Sequence, residues 1–93
     1  MAWGFISVLP ITIEQYDAID AAIAGDPPGL ILHTGSRVDG GVRIVDIWDS
    51  EADYRRFEQE QLLPAMQSLG GPPPADAPQT EEFEVHAIRG RAA

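Results

Sequence analysis

The chain contains no cysteine. A disulfide framework, thiolate chemistry and a Cys-based zinc site are therefore excluded, and redox usage leaves the compartment open. Positive charge is also scarce: six Lys and Arg stand against fifteen Asp and Glu, for a formal charge of −9. Nucleic acid and anionic membranes are held by Lys and Arg clusters, so neither is an expected partner. Acidic proteins and polyanionic cofactors fit poorly for the same reason, and the acidity itself serves solubility. No apolar run approaches the roughly 20 residues of a membrane span. Met1-Ala2-Trp3 leads straight into a strand pattern, without a basic n-region and a long apolar h-region. The expectation is a soluble, cytoplasmic protein. Nor is there a Gly-rich loop of the kind that cradles phosphates. At 93 residues the chain reads as a single domain spanning 1–93. A chain of this size buries only about 60–65% of its unfolded surface, so association with a second copy is a natural supplement.

What is present centres on residues 29–53, GLILHTGSRVDGGVRIVDIWDSEAD. Asp39-Gly40-Gly41 between apolar runs is a strong hairpin signal, because glycine accepts a positive φ. A two-residue loop pairs Val38 with Gly41, and a four-residue loop pairs Arg37 with Val42. Both give one register, in which Gly35 faces Ile44, His33 faces Asp46 and Ile31 faces Trp48. A three-residue loop would move His33 among Val45 and Ile47. A slip of one residue exchanges the two faces, so the apolar pattern selects the register. It favours Leu30, Leu32, Val45 and Ile47 as the helix-covered face. Ile31, His33, Ile44, Asp46 and Trp48 then share the opposite face. Apolar walls with a few convergent polar groups resemble a small-molecule cavity. The plainer reading is a cross-strand His–Asp pair beside solvent, worth about 0.2–1 kcal/mol.

Upstream, Trp3 to Leu9 is rich in aromatic and branched residues and apolar on both faces, which marks a central strand. Thr12 and Gln15 form a capping box for a helix over Thr12 to Ala24, with Tyr16, Ile19 and Ile23 on its apolar face and Gly25 past its end. Downstream, Ser50 and Asp53 start a second helix carrying Tyr54, Phe57, Leu62 and Met66, which Pro64 kinks or restarts. Leu69-Gly70-Gly71 ends it. A Pro-rich surface connection over 70–80 follows, and Phe83 to Arg89 reads as the last strand. Arg37 and Arg43 flank the turn and read as solvated.

The order β–α–β–β–α–β predicts an α+β, ferredoxin-like fold: a four-stranded antiparallel sheet with two helices on one face. The other sheet face needs cover. A second copy packed face to face supplies it, and His33, Asp46 and Trp48 then line a space enclosed between two sheets.

The run Ile44-Val45-Asp46-Ile47-Trp48-Asp49-Ser50-Glu51, followed by Tyr54 and Phe57, resembles the dimeric α+β barrel superfamily. The resemblance is to its small actinobacterial antibiotic-biosynthesis-monooxygenase-like members. Gly29-Leu30-Ile31-Leu32-His33 and Phe83-Glu84-Val85-His86 are similar to the pattern of uncharacterised ones. The resemblance implies a homodimer and a small hydrophobic or aromatic ligand. It implies a range of chemistries as well: cofactor-independent quinone-forming monooxygenases, heme-degrading enzymes, and polyketide and aromatic cyclases. The heme-degrading branch joins a strand Trp to a His on the following helix and an Asn on the first strand. Trp48 matches the Trp, but Tyr54 to Met66 holds no His and Trp3 to Leu9 no Asn. Neither heme nor any other cofactor is expected.

The candidate catalytic residues are His33, as base or acid, and Asp46, which would fix its tautomer and favour the imidazolium. Trp48, Ile31, Ile44 and His86 are the candidate ligand-binding residues. Trp48 would be an aromatic wall, or simply core. His86 would enter the cavity or sit at a dimer seam. His33, Asp46 and His86 lie on separate strands with no diagnostic metal spacing, so no metal is expected. The leading functional expectation is a small cofactor-free enzyme, monooxygenase- or cyclase-like, acting on an aromatic or polyketide-like molecule. A non-catalytic dimeric binding module and an inert structural dimer are the alternatives.

Overall fold

A computed structural model describes residues 1–23, 25–69 and 79–90. Strand β1 (Trp3–Leu9) is followed by α1 (Ile13–Ala21), β2 (Leu30–Val38) and β3 (Gly41–Trp48). A second helical stretch runs as α2 (Glu51–Phe57), a π-helical turn (Glu58–Leu62) and α3 (Leu63–Ser68). Strand β4 (Gln79–Glu84) completes a four-stranded antiparallel sheet of order β2-β3-β1-β4. The ferredoxin-like expectation holds, with β1 an interior strand. Among the described residues no helix is long and apolar enough to cross a membrane.

Local chemistry places the helices where the caps predict. Thr12 Oγ1 accepts from the Gln15 amide at 3.0 Å and Gln15 Oε1 accepts from the Thr12 amide at 2.8 Å, a complete capping box. Ser50 Oγ accepts from the Asp53 amide at 3.2 Å at the start of α2. Helix α1 ends at Ala21, earlier than the composition suggests. Pro64 restarts the second helix, as expected: α3 opens at Leu63 with the proline in its first turn. It has no N–H for the carbonyl four residues back, and its ring crowds that carbonyl. The preceding turn widens instead, and the Leu63 amide bonds to the Glu58 carbonyl, five residues back.

The hairpin has the two-residue loop: Val38 pairs with Gly41, Gly35 with Ile44 and His33 with Asp46. Beyond His33 the register departs from strict alternation. Leu32 pairs with Ile47 but Leu30 pairs with Trp48, so Ile31 is an extra residue at a bulge. The bulge carries Leu30 to the Trp48 side.

The helices cover the face opposite to the one that aliphatic content favoured. The buried core joins Trp3, Phe5, Val42, Ile44 and Trp48 of the sheet to Tyr54 of α2, with Leu30, Tyr16 and Phe57 packed around it. Each large aromatic ring buries some 150–250 Å², more than a Val or an Ile. The aromatic set therefore outweighs the aliphatic one. Tyr54 meets Trp3, Phe5 and Trp48 at ring separations of 5.4, 4.7 and 5.5 Å. Ile6, Val8, Val45 and Ile47 lie on the other face, only partly buried, beside an exposed Leu32.

The last strand also lies earlier than predicted. It occupies Gln79–Glu84 and pairs Trp3 with Glu84 and Ser7 with Thr80. Of the Pro-rich connection assigned to 70–80, residues 70–78 lie outside the described residues, and Gln79 and Thr80 belong to β4.

The turn yields a stability test. Gly40 has φ +87° with open space around it, whereas Gly41 has φ +146° and a methyl there would strike the Leu9 carbonyl. Gly40→Ala should cost about 1–2 kcal/mol, the left-handed conformation alone. Gly41→Ala should cost about 3 kcal/mol or more, since backbone must move as well. Urea denaturation of both variants measures the difference, and equal losses would contradict this turn geometry.

Candidate functional site

One hydrogen-bonded series crosses the covered face of the sheet. The β2–β3 register sets His33 directly across from Asp46, and His33 Nδ1 lies 2.6 Å from Asp46 Oδ1. Two residues along the same strand, Trp48 Nε1 donates to Asp46 Oδ2 at 3.0 Å. A carboxylate accepts only, so the Nδ1 proton points at Asp46 and the second ring nitrogen faces away. That nitrogen, Nε2, is 2.7 Å from the phenol oxygen of Tyr16 on α1. The Tyr16 and His33 rings lie nearly parallel, 9° apart, with centroids 6.0 Å apart. Gly35 makes this approach possible: a Cβ at that position would sit 2.7 Å from Tyr16 Cζ.

Burial and charge grade along the series. Asp46 is 3% exposed and Trp48 1%, while the His33 side chain keeps 33% of its surface. The hydrogen bond to Asp46 raises the His33 pKa above 6.5, burial opposes it, and the charges of Asp46 and Asp20 add to the rise. Burial, followed by the charges of Asp20, Asp46 and Asp17, keeps the Tyr16 phenol above its ordinary 10.0. Tyr16 is therefore a protonated hydroxyl across the neutral range. Among the described residues no buried side-chain nitrogen or oxygen lacks a partner.

This series lies in the wall of a cavity of about 650 Å³ between the sheet and the helices of one chain. The enclosed space is thus not between two sheets, as the sequence suggested, because the helices sit over His33, Asp46 and Trp48 themselves. Helix α1 has no fully buried residue, and its Ile19 lines the cavity instead of filling it, as does Ile23 beyond its end. Leu62 and Met66 line it as well. At the rim, Arg55 lies over the Trp3 and Tyr54 rings, at 5.6 and 5.3 Å. Its guanidinium is held by Glu82 at 2.6 Å, Glu51 at 3.3 Å and Glu58 at 3.5 Å. This clamp ties α2 to β4 and neutralises the cation.

No protein-family model and no curated protein matches the chain. Solved structures do. A Chloroflexus aurantiacus J-10-fl protein provisionally named an antibiotic biosynthesis monooxygenase superimposes with a TM-score of 0.72, at 21% identity, over 97% of this chain and 98% of its own. A MhuD mutant with two manganese protoporphyrin IX bound per active site gives 0.67 at 18% identity, over 97% and 99%. The ActVA-Orf6 monooxygenase of Streptomyces coelicolor, in complex with nanaomycin D, gives 0.56 at 20% identity, over 95% and 89%. This chain shares the fold of these three proteins.

Within that fold the expected residues separate into two groups. His33, Asp46 and Trp48 come together, and Ile31 and Ile44 line the same cavity. Trp48 is more a partner of Asp46 than an open wall, since Tyr54 and Phe57 pack its ring at 5.5 and 5.3 Å. His86 does not join them. It lies beyond the end of β4, exposed and outside the cavity lining, because the strand stops at Glu84. Among the described residues no group of three or more His, Asp or Glu is disposed to hold a metal ion. Arg37 and Arg43 are exposed as expected.

Periodicity places Tyr16 on the apolar face of its helix, and it does lie there. Its hydroxyl contact with His33 joins residues 17 apart on different elements, and helical spacing carries no trace of it. A phenol, the one polar tip among the aliphatic residues of that face, was the available signal.

A pH dependence follows from the His33–Asp46 contact. A histidine whose folded pKa is raised contributes stability that is full below its unfolded value near 6.5 and is lost as pH rises through the folded pKa. Asp46→Asn should lower the His33 pKa and flatten this part of the stability profile. An imidazole NMR titration of both proteins, paired with urea melts across pH 6–8 (roughly the range in which histidine titrates), measures it. Superimposable His33 titration curves would show that the two groups do not communicate.

Proposed function

We propose that the protein is a small cofactor-independent oxygenase acting on a planar aromatic or polyketide-like molecule bound between its sheet and helices. The carrying observation is a hydrogen-bonded Tyr16–His33–Asp46–Trp48 series set in the wall of a largely apolar cavity of about 650 Å³. A cavity of that size and character suits a drug-sized planar ligand. His33 is the base, Asp46 orients it and stabilises the imidazolium, and Trp48 holds Asp46 in place. Ile31 and Ile44 supply apolar contact to the ligand.

The chemistry needs only that base. A hydroxyaromatic with an acidic ring CH₂ loses a proton to His33, and the resulting electron-rich anion reduces O₂ directly. The CH₂ carbon becomes a quinone carbonyl, one oxygen atom enters the product and the other leaves as water. The name of the ActVA-Orf6 neighbour as a monooxygenase, and its bound nanaomycin D, support this direction. Porphyrin fits less well. The cavity offers iron no free imidazole nitrogen, since both His33 nitrogens are engaged and His86 lies outside. No step here runs through heme.

The test is turnover without added cofactor. Wild type should consume O₂ and form a quinone chromophore with members of a hydroxyanthrone panel, at a 1:1 stoichiometry. His33→Ala should lose at least about 100-fold in kcat, the lower range for removing a general base. Binding without O₂ uptake would identify a carrier and not an enzyme.

The partner on this reading is a second copy, docked through the face bearing Ile6, Val8, Val45, Ile47 and Leu32. Contiguous apolar surface of this kind marks association sites. Light scattering at micromolar protein should give twice the 10.1 kDa chain mass, and Ile47→Asp should halve it. A monomeric wild type would remove this partner. The cavity would remain, because it is built within one chain.

A further inference from the structure

Both nitrogens of His33 are occupied, and this limits how the proposed base can meet a ligand. Nδ1 is held by Asp46 at 2.6 Å and Nε2 by Tyr16 at 2.7 Å. A ligand that sought Nε2 directly would first have to displace the phenol. Tyr16 itself lines the cavity, and its ring is seated over β2 in the space that Gly35 leaves. From this we infer that Tyr16 is the residue that hands protons between ligand and His33, its phenol oxygen being the atom that touches the ligand. The inference rests on the base role proposed for His33 and extends it.

The step balances as a relay. The ligand's proton passes to Tyr16 Oη as the Tyr16 proton passes to His33 Nε2. The product state is a ligand anion accepting from the Tyr16 hydroxyl, which in turn accepts from an imidazolium paired with Asp46. No tyrosinate forms at any point. This agrees with the surroundings of the phenol, where burial and Asp20, Asp46 and Asp17 all disfavour the anion. Asp46 from β3, with Asp20 and the Tyr16 hydroxyl from α1, are the polar groups bearing on His33. A hydroxyl between base and ligand also sets specificity. It accepts from one ligand O–H while it donates to His33 Nε2, so a ligand must place an ionisable hydroxyl against Tyr16 while its rings occupy the apolar floor.

The experiment uses 4-nitrophenol, a planar hydroxyaromatic whose anion absorbs visible light. Its apparent pKa is measured free and bound to wild type, Tyr16→Phe and His33→Ala, with the His33 imidazole followed by NMR in the same samples. In wild type, binding should lower the nitrophenol pKa and protonate His33 together. Tyr16→Phe keeps the ring and its packing, so binding should stay within about threefold. The ionisation constant of the bound probe should fall by about tenfold or more, the scale of one hydrogen bond to a charged oxygen, and His33 should no longer gain a proton on binding. Tyr16→Phe that ionises the probe as wild type does would overturn the relay while leaving the base role of His33 intact. Loss of ionisation in His33→Ala alone would overturn the relay in the same way. A wild type that binds the probe without ionising it, or does not bind it, would sink the base role and the relay with it.

Discussion

A buried carboxylate is the constraint around which the covered face is arranged. Asp46 is 3% exposed in the middle of an interior strand, and an unpaired charge there would be strongly destabilising. Two donors offset this, each supplied by backbone geometry. Trp48 is two residues along the same strand, on the same side of the pleat, and gives its indole N–H to Oδ2. His33 is the cross-strand neighbour and gives Nδ1–H to Oδ1. Trp48 stays beside Asp46 whatever the register, since both lie on β3, whereas a one-residue slip of β2 would turn His33 to the other face. The bulge at Ile31 respects this: it falls between Leu30 and Leu32, beyond the His33–Asp46 pair, and leaves that pair in place.

The consequences spread outward from that carboxylate. With Nδ1 held, His33 must present Nε2 away from the sheet, and Tyr16 of α1 meets it. Trp48, fixed by its N–H, offers its ring to Tyr54 and Phe57, which seat the second helix. The two helices are thus joined to the sheet by different means, α2 through aromatic packing and α1 through a polar contact with few buried side chains. The incomplete packing of α1 is what leaves a cavity in a chain of 93 residues. Stability and chemistry draw on the same groups: the interactions that let Asp46 be buried also give His33 a raised proton affinity inside an apolar space.

The fold by itself does not choose a reaction. Similar structures carry names as different as a monooxygenase and a protoporphyrin-bound protein, at 18–20% identity. The proposed reading rests instead on how the cavity histidine is partnered. Both its nitrogens are engaged, Nδ1 by Asp46 and Nε2 by Tyr16.

How far the sequence determined the protein can be stated element by element. The order of strands and helices, a tight turn at Asp39-Gly40-Gly41 with its length of two or four residues left open, the caps at Thr12 and Ser50, and the His33–Asp46 pairing were all legible. Each depends on residues close in sequence, or on an alternation that the turn propagates along two strands. The π-turn before Pro64 was half legible, since proline announces a disturbance but not its form. Three things were decided only by the tertiary structure. Which sheet face the helices cover was settled by aromatic area contributed from Trp3, Phe5, Trp48 and Tyr54, four residues that meet only in the folded core. The true span of β4 was settled by pairing with β1, which leaves His86 outside. The contact of Tyr16 with His33 was settled by where α1 docks and by the space over Gly35. Local rules fix what a residue's neighbours in the chain can do. Docking is fixed by the sum of burial over the whole molecule, and no single stretch of sequence contains that sum.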